Sequence, residues 1–166
     1  MNVDARLIND IANVGYFSAY AYLKWLKPIR FGKRFAIILS TETGTVYGDS
    51  VAIPISYQFY IGGAGFDYYR GEIPFLGLDY LEKRNESFWK ARLDLRLRIL
   101  KKFFITAKLN VGQTSDKLFA NIEKSDILYG GGLSFSYKSI IGPIEFCFIP
   151  RLYSGPIYYF SLGYQF

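Results

Sequence analysis

Hydrophobic and polar positions alternate with a period of two over most of the chain. From Trp89 the odd positions read Trp89, Ala91, Leu93, Leu95, Leu97 and Ile99, and the even positions read Lys90, Arg92, Asp94, Arg96 and Arg98. Successive side chains of a strand point to opposite faces, so this segment has one apolar face and one charged face; a helix would mix the two sets. The next segment repeats the pattern, with Phe103, Ile105, Ala107, Leu109 and Val111 set against Phe104, Thr106, Lys108 and Asn110. Six further segments fit the same template: Tyr16–Lys27, Phe35–Thr43, Val51–Ile61, Gly130–Lys138, Gly142–Arg151 and Pro156–Phe166. The pattern predicts an all-β, antiparallel chain of eight strands. Each is about ten residues long, which is what a tilted strand needs to cross a bilayer.

A soluble sandwich also has one apolar face per strand. Three features favour a transmembrane β-barrel instead. The apolar faces are long and free of charge. Aromatic residues gather near the strand ends (Tyr16, Phe17, Trp25, Phe88, Trp89, Phe103, Phe104, Tyr158, Phe166), as interfacial girdles require. The connections alternate in length: Gly44–Ser50, Leu100–Lys102 and Ser139–Ile141 are short and share one end. Gly62–Ser87 and Gly112–Tyr129 are long and share the other, with the compact Pro28–Arg34 and Leu152–Gly155. Short turns are periplasmic in such barrels, and an even strand number returns both termini to that side. Residues 1–14 are expected to be a linker or a short helix with Val3, Leu7, Ile8 and Ile11 on one side, and residues 15–166 the barrel domain.

Composition narrows the chemistry. The chain has 166 residues, a net charge of +6, no His and one Cys. His-based catalysis, an internal disulfide and multi-Cys zinc sites are thereby excluded. The basic residues fall mostly on the face opposite the apolar one, so nucleic acid is not an expected partner. Met1 is followed by no apolar signal core, so either a presequence has been removed or this is a piece of a longer chain.

The ending Tyr159-Phe160-Ser161-Leu162-Gly163-Tyr164-Gln165-Phe166 resembles the C-terminal strand that barrel-insertion machinery recognises, with Phe160, Gly163, Tyr164 and Phe166 as its signal. Together with Gly130-Gly131-Gly132-Leu133 and Ile141-Gly142-Pro143-Ile144, it resembles the C-terminal barrel of the bacterial surface antigen superfamily, the outer-membrane assembly factors. Phe59-Tyr60-Ile61-Gly62-Gly63 followed by Arg70-Gly71 is similar to that family's sixth-loop region. Ile73-Pro74-Phe75-Leu76-Gly77-Leu78 looks closest to the barrels of patatin-like phospholipases of Bacteroidetes-type bacteria. Where the family reads Val-Arg-Gly-Phe this chain has Tyr69-Arg70-Gly71-Glu72, so only Arg70 and Gly71 carry over. The resemblance implies a sixteen-stranded barrel with that loop between its eleventh and twelfth strands. Three strands precede the loop here and five follow, so the chain corresponds to the C-terminal half.

No Gly-x-Ser-x-Gly elbow is present, and Gly48-Asp49-Ser50 reads as a tight turn. Cys147 reads as a small inward filler. No cofactor, metal or enzymatic activity is expected. The inward face carries a basic wall of Lys90, Arg92, Arg96, Arg98 and Lys108, joined by Lys24, Lys138 and Arg151, against only Glu42, Asp94 and Glu145. The wall is either simply solvated or the seat of the net-acidic loop Gly62–Ser87, drawn inward by charge. Arg70 is then expected to reach Asp94 and pin the loop.

The leading expectation is a non-catalytic outer-membrane barrel of a Gram-negative bacterium, serving as membrane anchor or as a passage or display domain. Its partners would be outer-membrane lipid, the insertion machinery and a second copy. Unpaired strand edges are not tolerated in lipid, and an eight-stranded interior holds side chains but not a loop as well. A homodimer of two half-barrels is therefore expected, with Tyr16–Lys27 of one copy beside Pro156–Phe166 of the other. The rivals are a closed eight-stranded monomer binding a ligand or surface partner through its loops, and a soluble β-sheet binding protein.

Overall fold

The computed structural model describes residues 2–8, 16–29, 34–48, 58–63, 72–115, 127–151 and 155–163. Eleven strands run through them: β1 (Asn2–Ile8), β2 (Tyr16–Ile29), β3 (Phe35–Gly48), β4 (Phe59–Ile61), β5 (Glu72–Ile73), β6 (Lys83–Asn85), β7 (Ser87–Arg98), β8 (Phe103–Ser115), β9 (Leu128–Ser139), β10 (Gly142–Ile149) and β11 (Ile157–Leu162). Eight form one antiparallel sheet in the order β1-β2-β3-β7-β8-β9-β10-β11, and β5-β4-β6 form a small second sheet. Among the described residues no pairing joins β1 to β11, so the large sheet has two free edges.

The sheet is inside out by the standards of a water-soluble protein. Leu97, Phe103, Leu109, Phe135, Phe146 and Phe160 are all more than 40% exposed, whereas Lys90, Thr106, Asn110, Gln113 and Ser134 are buried. The register explains the division. Leu97 lies opposite Ile105, Ile105 opposite Phe135, Phe135 opposite Phe146 and Phe146 opposite Phe160, so one apolar row crosses five strands. The next row on the other face runs Arg96, Thr106, Ser134, Cys147 and Tyr159. Ten residue steps from Trp89 to Ile99 cover about 33 Å of strand. At a tilt near 40° that is an apolar band about 25 Å tall, the height of a barrel's lipid-facing belt. Phe103 stacks on Tyr137 at 4.7 Å and Phe146 on Tyr158 at 6.0 Å, both on this outer face.

Four expectations are corrected. Asn2–Ile8 is not a helix or linker but the edge strand β1, paired with β2 from Asn2 opposite Lys24 to Ile8 opposite Ser18. Its own alternation, Val3, Ala5, Leu7 against Asp4, Arg6, matches that pairing and is merely short. Of the expected strand Val51–Ile61, residues 51–57 lie outside the described residues, and Phe59–Ile61 is not in the wall but in the small sheet, parallel to β5 and antiparallel to β6. Its apolar side chains face the interior: Phe59 is 7% and Ile61 1% exposed. Finally, β3 continues to Gly48, with Thr45 opposite Ser87, so Gly44 and Thr45 are strand and not turn. Phe88 likewise leaves the expected girdle; it points inward, 1% exposed, its ring 4.8 Å from Phe59.

The corrections preserve the expected arrangement of three wall strands before the long connection and five after it. They also correct the placing of one connection: residues 30–34, expected at the end of the long loops, join 99–102 and 140–141 at the short end because β1 adds a strand before β2, and 9–15, 49–86, 116–127 and 150–156 make up the other end.

Replacing Leu95 or Phe135 by Arg should cost about 2–4 kcal/mol if these positions lie near the bilayer midplane. Arg96→Ala, on the other face of the same strand, should cost less. Urea titration of the protein folded into liposomes measures both; equal losses on the two faces would show that the faces are misassigned.

Candidate functional site

Charged side chains on the inner face are confined between strands and must find partners there. Lys90 on β7 is 2% exposed; its Nζ lies 2.8 Å from Glu42 Oε1 on β3 and donates to the Pro74 carbonyl at 2.9 Å. Arg92 grips Asp94 along one face of β7, Nε to Oδ1 at 2.8 Å and Nη2 to Oδ2 at 3.2 Å. Lys108 on β8 reaches across β9 to Glu145 on β10. Arg96 Nε donates to Thr106 Oγ1 at 3.4 Å. Three of the five wall cations, Lys90, Arg92 and Lys108, are thus met by carboxylates, from Glu42, Asp94 and Glu145. The inner positions of β9 make the long reach feasible, because Gly130, Gly132, Ser134 and Ser136 are all small.

The connection between β3 and β7 is seated on this wall. Phe59, Ile61, Ile73 and Phe75 pack with the wall residues Val46 and Phe88. Leu76 packs with Cys147 and Ile149. Glycines on the wall admit the loop backbone. A Cβ on Gly130 would lie 1.5 Å from the Leu76 carbonyl oxygen, and one on Gly112 would lie 3.2 Å from the Phe75 ring. Gly77, at φ +99°, turns the loop above Gly130. Asn110 Nδ2 donates to the Leu76 carbonyl at 3.2 Å, and Arg151 Nη1 to Asp79 Oδ1 at 2.7 Å. Within the loop, Phe75 N bonds the Gly63 carbonyl at 3.0 Å, and Tyr80 donates to Glu72 at 2.8 Å.

Magnitudes decide what holds the loop. Burying Ile61, Ile73, Phe75 and Leu76 contributes about 1.5–3 kcal/mol each as an upper range. The Arg151–Asp79 pair, with Asp79's side chain 65% exposed, contributes at most about 1 kcal/mol. The expected attraction of an acidic loop to a basic wall is thus present in one pair, and apolar burial dominates. Of the wall cations, Lys90 serves the loop by binding the Pro74 backbone carbonyl.

The remaining site residues divide as follows. Arg70 and Gly71 lie outside the described residues, as do Tyr164 and Phe166. Asp94, the expected partner of Arg70, is engaged by Arg92. Phe160 faces outward at 67% exposure, and Gly163, at φ +104°, donates its N–H to Pro143 O at 3.0 Å. Arg98 ends β7 beside Arg34, whose carbonyl accepts its N–H at 2.7 Å. Sequence reasoning passed over Asn110, Gly112 and the Pro74 and Leu76 carbonyls. Only the run Gly130-Gly131-Gly132 carried a signal for the seat.

The sequence model of the OMP85 superfamily matches residues 9–166. Among solved structures the fold is similar to the crystal structure of BamA from Haemophilus ducreyi lacking POTRA domains 1-3. The TM-score is 0.63 at 12% identity, over 95% of this chain and 36% of that one. The chain therefore spans about a third of that protein's length. No match was found among curated protein sequences.

Lys90→Met should remove the buried cation facing Glu42 and its bond to the Pro74 carbonyl, and lower stability by about 3–5 kcal/mol. Adding Glu42→Gln should recover most of that loss. Urea unfolding in detergent micelles checks both; a neutral Lys90→Met variant would show that the pair and its carbonyl contact hold nothing.

Proposed function

The chain belongs to the OMP85 superfamily, and on that premise we propose that it forms half the wall of an outer-membrane barrel in a Gram-negative bacterium. The barrel is non-catalytic and acts as a membrane anchor or as a passage or display domain for a partner. A second copy completes it to sixteen strands. The observation that carries this reading is the occupied inner face: an eight-stranded barrel closed on itself has room for side chains only, yet here Phe59, Ile61, Ile73 and Phe75 fill the space in front of the wall. Two free sheet edges, β1 and β11, favour the same reading, since lipid leaves unpaired backbone groups unsatisfied. In the dimer β1 of one copy pairs antiparallel with β11 of the other, about a two-fold axis along the membrane normal. This replaces the seam first expected at Tyr16–Lys27, whose edge β1 already covers.

Kinship with the barrels of patatin-like phospholipases is part of the proposal. It is supported by Ile73-Pro74-Phe75-Leu76-Gly77-Leu78, the stretch that the wall seats. So is the pinning role of Arg70 and Gly71 at Asp94, whose carboxylate has lone pairs beyond the two that Arg92 engages. Arg70→Ala should then speed protease cleavage within residues 62–86, and an unchanged cleavage rate would remove the pin.

Cysteine pairs test the seam. In a Cys147→Ser background, one cysteine at Ala5 or Leu7 and one at Tyr158 or Phe160 should give a disulfide-linked band at dimer mass in detergent. A band at monomer mass would refute the two-copy barrel.

A further inference from the structure

The short-connection end of the wall carries exposed cations in an unbroken line. Lys27 lies on the outer face of β2, its Nζ 5.9 Å from the Trp25 ring centroid. Arg34 and Arg98 are joined by a backbone hydrogen bond of 2.7 Å, and Lys102 and Lys138 by one of 2.9 Å, with Lys101 between the two pairs along the chain. Lys27, Arg34, Lys101, Lys102 and Lys138 are all exposed; Lys138, expected in the inner basic wall, stands instead at the open end of β9, next to its last residue Ser139. Among the described residues none of Arg34, Lys101, Lys102 and Lys138 is in an ion pair. No Asp or Glu occurs in 27–41, 95–105 or 134–144. The carboxylates just beyond these stretches, Glu42, Asp94 and Glu145, are each held by an inner cation.

Large apolar side chains interleave with the cations. Leu100, Ile140 and Ile141 are 61%, 95% and 67% exposed, and Trp25 and Phe103 stand on the same rim. The opposite end has the opposite sign: residues 49–86 hold six carboxylates against three cations. A rim that is apolar toward the acyl chains and cationic at the height of the headgroups matches an anionic phospholipid. Zwitterionic lipid offers the same apolar contact without the net charge.

We propose that this rim is a binding belt for anionic glycerophospholipids of the periplasmic leaflet, with Lys27, Arg34, Lys101, Lys102 and Lys138 holding the headgroup phosphates. The belt rests on the membrane-barrel reading. It gives the wall a fixed polarity, because the acidic end has no comparable attraction for the same lipid.

The two tryptophans make the test internal to the protein. Trp25 reports the cationic rim in a Trp89→Phe variant, and Trp89, near the opposite end of β7, reports the far side in a Trp25→Phe variant. Each is reconstituted with phosphatidylcholine or phosphatidylglycerol brominated on its acyl chains, and quenching gives the relative binding constant. Phosphatidylglycerol should be favoured about threefold or more at Trp25, with no preference at Trp89. Changing the five cations to Gln should abolish the preference at Trp25. Equal quenching of Trp25 by both lipids overturns the belt, as does a preference that survives the five changes or one that is the same at Trp89. Absence of quenching at both tryptophans by either lipid overturns the membrane reading itself. Should a tryptophan replacement prevent folding, native mass spectrometry of the protein with both tryptophans compares retained phosphatidylglycerol and phosphatidylcholine with and without the five changes. Equal retention overturns the belt.

Discussion

Everything in this structure follows from having no water on one side of the sheet. A strand facing hydrocarbon must turn its apolar side chains outward and pair every backbone group with a neighbour. Most charged side chains of the wall are then driven to the other face. There they meet at close quarters, and the pairs Lys90–Glu42, Arg92–Asp94 and Lys108–Glu145 answer that crowding. The same constraint makes apolar surface available inside. Val46, Phe88, Ile149 and Tyr159 lie on the inner face and have no lipid to cover them. Phe59, Ile61, Ile73, Phe75 and Leu76 of the connection cover them, so among the described residues both buried apolar clusters lie between wall and connection.

The outer face was legible because strict alternation leaves no second interpretation. From Trp89 to Leu97 and from Phe103 to Val111 each odd residue is apolar and most even ones are polar or charged, and the observed faces follow that division. The number of wall strands was also legible, but its membership was not. Phe59–Ile61 alternates as cleanly as a wall strand, since an element packed on an inner face buries every second residue just as a lipid-facing one does. Periodicity reports which residues are covered, not what covers them. Asn2–Ile8 failed for the opposite reason: seven residues also fit a helical pattern, and only the partner β2 decides between them.

Within the interior, cations and carboxylates could be placed on the same face from the sequence, but their pairing depends on register. Lys108 meets Glu145 only because β9 presents Gly132 and Ser134 in between. The seat of the loop was harder still to foresee. Two of its acceptors, the Pro74 and Leu76 carbonyls, are backbone atoms that leave no trace in residue type. Gly130, which admits the Leu76 carbonyl, looks in sequence like an ordinary break in a strand, and only the 1.5 Å separation of that oxygen from a Cβ on Gly130 reveals its purpose.

Nitroxide labels placed one at a time from Ala91 to Leu97, in the protein reconstituted into bilayers, address the inside-out wall most directly. Collision rates with oxygen, which dissolves in lipid, should peak at Ala91, Leu93, Leu95 and Leu97 and fall at the positions between. A water-soluble nickel chelate should be excluded from those same four. Loss of the two-residue period, or a nickel chelate reaching the odd positions best, would place water against the apolar face and contradict the account.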